Sequence, residues 1–311
     1  MHRSSILIRC YSCMLFPGQG AQYVGMTSRI QDLPAVRSLF KQANETLGYD
    51  LQSLCLTGPE SKLQETRYCQ PAIVVASLAA ASVAAKDDID NDGSLQAVAG
   101  LSIGELTALI FAGAISFEAG LQLVAVRAAA MQMASDKISS RLLRVTGLDK
   151  EQIENVCTVV KQSGYGDCSI TNKLFPRGFI IGSSTRAVDF VSNCIQERGG
   201  SIKVLALSGA FHSLYMSPAT EQFAVAVNKA PLQLPKLPVY SNVTGKLYSS
   251  VEEIRTLLVK QLTSCVVWDT VMENMMKDYP QCSFVECGPG RQLNYILKRL
   301  NKRVKCINYT V

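Results

Sequence analysis

Apolar positions in this chain form short unbroken runs that alternate with stretches of helical period. Cys13 to Phe16 is a strand-like run closed by the turn Pro17-Gly18-Gln19-Gly20. Ser28 to Leu47 has helical spacing, Leu54 to Gln70 reads as loop and short helix, and Pro71 to Ala85 reads as an Ala-rich helix with Pro71 in its first turn. Asp87 to Gly93 is a polar surface loop. Leu95 to Ala99 reads as a buried strand running into Gly100-Leu101-Ser102-Ile103-Gly104, followed by helices over Glu105 to Ala112 and Phe117 to Ser135. Between residues 138 and 207 the texture changes. Strand-like runs (Leu142 to Val145, Phe179 to Gly182, Lys203 to Leu207) mix with helical ones (Lys150 to Gln162, Ala187 to Arg198), and the βαββαβ pattern predicts a small ferredoxin-like insertion. Then come a helix (Pro218 to Ala230), a strand (Val239 to Ser241), a helix (Val251 to Thr263) and a strand (Ser283 to Cys287) ending in Gly288-Pro289-Gly290.

The length of 311 residues suits two domains or one large α/β domain carrying an insertion. With 48% apolar and 18% charged residues the chain can bury a full core, which excludes wholesale disorder. The longest weakly polar run, Ala72 to Ala85, is 14 residues and falls short of the ~20 that a membrane span requires. The net charge of +6 is mild, and one dense cluster stands out: Lys298, Arg299, Lys302, Arg303 and Lys305. It reads either as a solvated helix face or as a docking patch for an acidic partner; nucleic acid is not expected. The 11 cysteines are odd in number and scattered, and Cys10 and Cys13 are the one pair with CxxC spacing. With just two histidines a metal site is not expected, and unpaired cysteines suit a reducing compartment.

From Met1 to Ile30 there is no acidic residue, and Arg3 and Arg9 flank Ser4, Ser5 and the apolar patch Ile6 to Ile8. That is the composition of a mitochondrial transit peptide, with processing expected just before Ser12, so that residues 1–11 are the targeting segment.

Gly100-x-Ser102-x-Gly104, between a buried strand and a helix, has the context of a nucleophile elbow. The tight turn needs small neighbours. It lifts the Ser102 hydroxyl to a helix start, where the dipole and the N–H of Ile103 can stabilise an oxyanion. A serine nucleophile needs a base. His2 lies in the targeting segment, which leaves His212, with no acidic residue near it in sequence to orient the ring. The loop Phe16 to Gly20 could complete the oxyanion hole; it lacks the Lys-Ser/Thr of a phosphate-binding P-loop. Arg127 sits in a helix that is apolar on most sides. A buried guanidinium must be paired, either structurally with Glu105 or Glu118 or with a substrate carboxylate, for which its fork is shaped.

Phe-Pro-Gly-Gln-Gly-Ala-Gln (16–22), Gln-Pro-Ala (70–72), Gly-Leu-Ser-Ile-Gly-Glu (100–105), Val-Arg-Ala-Ala-Ala-Met-Gln (126–132), Gly-Ala-Phe-His (209–212), Ser-Asn-Val-Thr-Gly (241–245) and Glu-Cys-Gly-Pro-Gly-Arg (286–291) occur in order. In order and spacing the set resembles the malonyl-CoA:acyl carrier protein transacylases over nearly the whole chain from residue 13, and the basic N-terminus resembles their mitochondrial animal form. The resemblance implies a hydrolase-like α/β domain with a central, mostly parallel sheet, built from residues 12–137 and 208–311. It also implies a ferredoxin-like α+β subdomain over 138–207, with the substrate between them. By motif match Ser102 is the acylated nucleophile and His212 its base. The backbone N–H groups of Gln19 and Ile103 form the oxyanion hole, and Arg127 binds the malonyl carboxylate. Phe211, Met131, Leu101, Gln70 and Asn172 contact the acyl group, and the imidazole is oriented by a main-chain carbonyl near Val267, in the loop before Trp268.

Two positions depart from the pattern. Many relatives have His where this chain has Leu101. In the loop Thr171 to Pro176 the bacterial Asn-Ser-Pro-Gly pattern is replaced, so Asn172 alone carries over. Gly-Ala-Phe-His resembles the malonyl-type signature, whereas a smaller residue before the His accompanies methylmalonyl use. The implied reaction is ping-pong. Malonyl-CoA acylates Ser102, CoA leaves, and the phosphopantetheine thiol of an acidic acyl carrier protein takes the malonyl group, with no metal or bound cofactor. The implied location is the mitochondrial matrix and the implied role is mitochondrial fatty acid synthesis. A serine esterase or thioesterase shares the elbow, and a non-catalytic binding protein is the other alternative; Arg127 argues against the first, and Ser102, His212 and both loops together against the second.

Overall fold

The computed structural model describes residues 11–85 and 94–310; most of the targeting segment and the Asp87 to Gly93 loop lie outside the described residues. In chain order come β1 (Ser12–Phe16), α1 (Pro34–Leu47), α2 (Leu51–Thr57), α3 (Glu60–Gln64), α4 (Thr66–Ala84), β2 (Leu95–Gly100), α5 (Ile103–Phe111) and α6 (Phe117–Lys137). Next are β3 (Ser140–Thr146), α7 (Lys150–Gln162), β4 (Cys168–Phe175), β5 (Gly178–Ser184), α8 (Val188–Glu197), β6 (Ser201–Val204) and α9 (Ser217–Lys229). The chain closes with α10 (Val251–Gln261), β7 (Val266–Val267), α11 (Trp268–Asp278), β8 (Ser283–Cys287), α12 (Gln292–Leu300) and β9 (Cys306–Tyr309).

The first sheet has the order β2-β1-β8-β9, every pairing parallel. Parallel strands are covered on both faces, which explains why β1 is an unbroken apolar run. Its side chains alternate all the same: Met14 and Phe16 enter the larger core with α4, α5 and α6, while Cys13 and Leu15 enter a second core with Trp268, Met272 and Leu293. The second sheet runs β6-β3-β5-β4-β7. Its first four strands are antiparallel and, with α7 and α8, enclose a third core, the ferredoxin-like arrangement expected from the βαββαβ pattern. β7, from the far side of the insertion, adds to β4 in parallel and ties the two parts together.

The structure corrects or sharpens the sequence reading at several points. α4 begins at Thr66, so Pro71 lies inside the helix rather than in its first turn. α4 is long and apolar enough by length and composition to cross a membrane, but most of it is buried, packed against α6 and α5 at the centre of the fold. Thr171 to Phe175 is strand rather than loop: β4 pairs with β5 on one side and β7 on the other. Part of the basic C-terminal cluster has local work, since Arg299 stacks on the rings of Tyr295 and Phe175, and Lys298 donates to the Val304 carbonyl.

Candidate active site

β2 delivers Gly100 to the edge of the first sheet and the chain reverses at once into α5. A Cβ on Gly100 would lie 1.9 Å from the Gly104 carbonyl oxygen, and one on Gly104 would lie 2.3 Å from the Phe16 oxygen, so only glycine allows the turn. Ser102 between them takes φ 56° and ψ −108°, a conformation that L-residues rarely adopt. The turn is latched from outside. Asn242 Oδ1 accepts from the Ser102 N–H (2.6 Å) and Asn242 Nδ2 donates to the Gly100 oxygen (2.8 Å). The strain at Ser102 therefore persists because neighbouring groups hold it.

Ser102 Oγ lies 2.7 Å from His212 Nε2. His212 is itself at positive φ (62°) and is buried. Its Nδ1 donates to the Gln261 carbonyl oxygen at 2.7 Å. This corrects the expectation of a carbonyl near Val267: Val267 pairs with Lys173 in the second sheet, and its N–H is occupied by the Asn242 oxygen (2.8 Å). Gln261 is the last residue of α10. Its carbonyl points past the helix end with no intrahelical donor to meet, and it lies at the negative pole of the helix dipole. A helix C-terminus thus fills the place that a carboxylate holds in a Ser-His-Asp triad. Burial and the Arg127 charge push the imidazole down to about 4, so it is neutral at pH 7 and able to accept the serine proton.

Arg127, from α6, is 1% exposed. Its Nη1 donates to Gln70 Oε1 (2.7 Å) and its Nη2 to Gln261 Oε1 (2.6 Å), with Ser102 Oγ 3.3 Å from the same Nη2. Both amide partners are neutral. Burial lowers the guanidinium to about 10, and it remains a cation at pH 7. Glu105, the structural partner considered from sequence, does not take the guanidinium directly; Gln261 stands between them, donating to Glu105 Oε2.

Leu101, Ser102, Asn172, Phe211, His212 and Gln19 line a cavity of about 650 Å³ between the two sheets. Arg127, Gln70, Met131 and Ile103 stand behind Ser102 rather than along that wall; Gln70 Nε2 reaches Met131 Sδ (3.5 Å) and Gln19 Oε1 (3.4 Å). Ile103 opens α5, so its N–H has no intrahelical acceptor, and the Gln19 loop is pinned by Gln292, which accepts from the Gly18 N–H at 2.9 Å. Asn172 projects from β4, its Oδ1 taking the Thr171 hydroxyl (2.9 Å).

The sequence reading missed Gln261, Asn242 and the use of Glu105. One signal was available: Ile254, Leu257, Leu258 and Gln261 fall on the buried face of α10, and a polar residue ending an apolar stripe needs a partner. Asn242 lies in a motif that was recognised without being given a role.

Residues 13–308 match the acyl transferase domain family. The chain belongs to that family. It is 36% identical over 96% of its length, and 82% of the relative's, to a probable mitochondrial malonyl-CoA-acyl carrier protein transacylase of Drosophila melanogaster. To the mitochondrial transacylase of Mus musculus it is 38% identical over 94% of this chain and 79% of that one. Among solved structures, the malonyl CoA-acyl carrier protein transacylase of Coxiella burnetii superposes with a TM-score of 0.91 at 30% identity, covering 97% and 95% of the two chains. A malonyl-transacylase solved with its type II polyketide acyl-carrier protein superposes at 0.90 with 32% identity over 96% and 95%. The acyl transferase fold is therefore the α/β-plus-insertion architecture expected from the sequence.

Proposed function

We propose that this acyl transferase moves the malonyl group from malonyl-CoA to the phosphopantetheine thiol of an acyl carrier protein through a malonyl-Ser102 intermediate, and that it does so in the mitochondrial matrix for fatty acid synthesis there. The observation that carries the reading is Arg127: a buried cation 3.3 Å from the nucleophile, held by two amide oxygens and neutralised by neither.

In the first half-reaction neutral His212 takes the Ser102 proton as Oγ attacks the thioester carbonyl. The oxyanion meets the N–H groups of Ile103 and Gln19 and the positive end of α5. The imidazolium is supported by the Gln261 carbonyl and the negative end of α10, and it gives its proton to the CoA thiolate as the C–S bond breaks. In the second half-reaction His212 takes the proton of the incoming carrier-protein thiol, whose sulfur attacks the malonyl-serine ester; the proton returns to Ser102 as the C–O bond breaks. The proposed reaction calls on no metal or bound cofactor.

Arg127 acts twice. It pairs with the free carboxylate of the malonyl group, and it depresses the basicity of His212. A bound carboxylate offsets the guanidinium charge, so the base strengthens once a carboxylated acyl group is in place. Acetyl-CoA leaves both the cation unpaired and the base weak.

Mass spectrometry of the protein mixed with malonyl-, acetyl- and methylmalonyl-CoA tests the reading. The expected product is a malonyl adduct on Ser102 that persists in water until a carrier-protein thiol is added. An adduct that hydrolyses without the thiol makes the protein a thioesterase, and adducts of equal yield from all three donors remove the role of Arg127.

A further inference from the structure

Glu105 is fully buried in the first turn of α5, and no step of the transfer touches it. Three donors converge on its carboxyl group. The Tyr248 hydroxyl (2.7 Å) and the Asn242 N–H (2.9 Å) meet Oε1, and Gln261 Nε2 meets Oε2. Ionised, as it is above pH 7, this carboxylate accepts and cannot donate. The Gln261 atom that faces it is therefore the NH2 group, which also donates to the Ser102 main-chain oxygen at 3.1 Å, and the atom left to face Arg127 is the oxygen, 2.6 Å from Nη2.

We propose that Glu105 is a positioning residue for acyl-group selection: together with the Ser102 main-chain oxygen it fixes the polarity of the Gln261 amide, so that Arg127 is aimed by a neutral oxygen and keeps its charge for the substrate. The proposal rests on the reading of Arg127 as a carboxylate clamp. The arrangement has a physical logic. A carboxylate directly on Arg127 would hold the guanidinium well but would compete with the substrate carboxylate for it. An apolar residue would leave the cation unpartnered at high cost. One amide between the two charges gives Arg127 a fixed acceptor and keeps the anion at a distance. The same Gln261 residue presents its main-chain oxygen to His212 (2.7 Å), so the orientation of the clamp and that of the base share one anchor.

Glu105→Gln keeps the shape and breaks the logic. If its new NH2 faces Gln261, the Gln261 amide must turn its own NH2 toward Arg127. If its oxygen faces Gln261, the new NH2 meets the Asn242 N–H. Either way a donor faces a donor. The test compares Ser102 acylation rates with malonyl-CoA and acetyl-CoA in the full chain at a pH well above 7, where Glu105 is ionised, each normalised to the rate at which a fluorophosphonate probe labels Ser102, so that damage common to the whole site divides out. The malonyl-to-acetyl ratio should fall about tenfold in Glu105→Gln. Glu105→Asp, which remains acceptor-only, should keep more of the ratio than Glu105→Gln even if it is slower. Tyr248→Phe, which removes a bond of the same cluster but leaves the carboxylate, should hold the ratio within about twofold. An unchanged ratio in Glu105→Gln, or an equal loss in Tyr248→Phe, overturns the proposal and leaves Glu105 as part of the packing. If Glu105→Gln does not fold, Gln261→Met carries the test: it deletes the amide and keeps the main-chain carbonyl, so the ratio should fall by a similar factor, and an unchanged ratio overturns the proposal. Arg127→Ala separates the two layers of argument. If it leaves the ratio unchanged, the clamp itself is wrong; if it collapses the ratio while Glu105→Gln does not, the clamp stands and the polarity lock fails.

Discussion

Two helix ends face each other across Ser102 and His212. The N-terminus of α5 presents free N–H groups to the nucleophile, and the C-terminus of α10 presents a free carbonyl to the base. The two poles stabilise opposite charges that develop together, an oxyanion at one and an imidazolium at the other. They differ in how they are built. The α5 end depends on residue identity, because Gly100, Ser102 and Gly104 admit no substitute. The α10 end depends on backbone position, because any residue at 261 supplies a carbonyl. Side-chain changes should therefore break the first pole outright and reach the second only through His212 or through the Gln261 side chain.

The largest effect belongs to the α5 pole. Ser102→Ala should leave no acyl-enzyme detectable by mass, with a far-UV spectrum like that of the parent, since among the described residues the hydroxyl bonds only His212 and Arg127. Gly100→Ala should be worse for the fold than the ~1–3 kcal/mol typical of overpacking, because the added Cβ meets backbone that cannot move aside. A urea midpoint near that of the parent would show that the elbow is looser than the structure has it. His212→Ala follows. Losing the base should cost about 10²–10⁴-fold in acylation; a loss under tenfold would mean that the α5 pole alone carries the reaction.

The same contrast explains what could be read from the sequence. The elbow was legible because sterics force glycines at fixed offsets, and Arg127 because a cation in an apolar helix must be accounted for. The alternation of unbroken apolar runs with helical periods gave the layers, and βαββαβ gave the second sheet. The His212 acceptor was misplaced by six positions because a carbonyl leaves no mark on residue type. The stretch Thr171 to Pro176 corresponds to a loop by motif resemblance, whereas pairing on both edges, to β5 and to β7, makes Thr171 to Phe175 a strand. Local preference places Pro71 at a helix start, and burial on nearly every side of α4 overrides it.

The two poles also titrate in opposite senses, which gives a further prediction. His212 is held at about 4 against an ordinary 6.5, so the unfolded chain binds its proton first as pH falls. This group's contribution to stability is intact above 6.5 and is lost as pH falls toward 4. Glu105, raised by burial from 4.5 to about 7 against the pull of its three donors and Arg127, behaves the other way. The folded state holds that proton more tightly, so stability from this group declines as pH rises from 4.5 through 7. In the parent the two slopes oppose one another between 4.5 and 6.5. Replacing His212 with Gln removes one of them, and urea titrations of this variant should show stability rising, relative to the parent, as the buffer is taken from pH 7 to 4.5. The kinetic counterpart is an acid limb of kcat/KM for malonyl-CoA, which reports the free enzyme, near 4 rather than 6.5. A limb at 6.5 would mean that the imidazole sits in a wetter and less cationic setting than the structure gives it.

The smallest expected effect lies beside the α10 pole, at Phe211. Its ring is 4% exposed and lines the cavity together with Leu101 and Ser102, next to the base. Its side chain carries no polar atom, so it shapes space without changing charge. An α-methyl group on the acyl chain would be crowded there, and one methyl group in an apolar pocket changes selectivity by ~1–3 kcal/mol. Phe211→Ser should therefore raise methylmalonyl relative to malonyl transfer by about tenfold, while leaving the malonyl preference over acetyl near its parental value, because Arg127, Gln70 and Gln261 are untouched. Competition assays with paired acyl-CoAs read both ratios at once. If Phe211→Ser shifted the acetyl ratio as strongly as the methylmalonyl one, steric and electrostatic selection would not be separable at this site. The clamp would then depend on the packing around His212 rather than on the amide network behind Ser102.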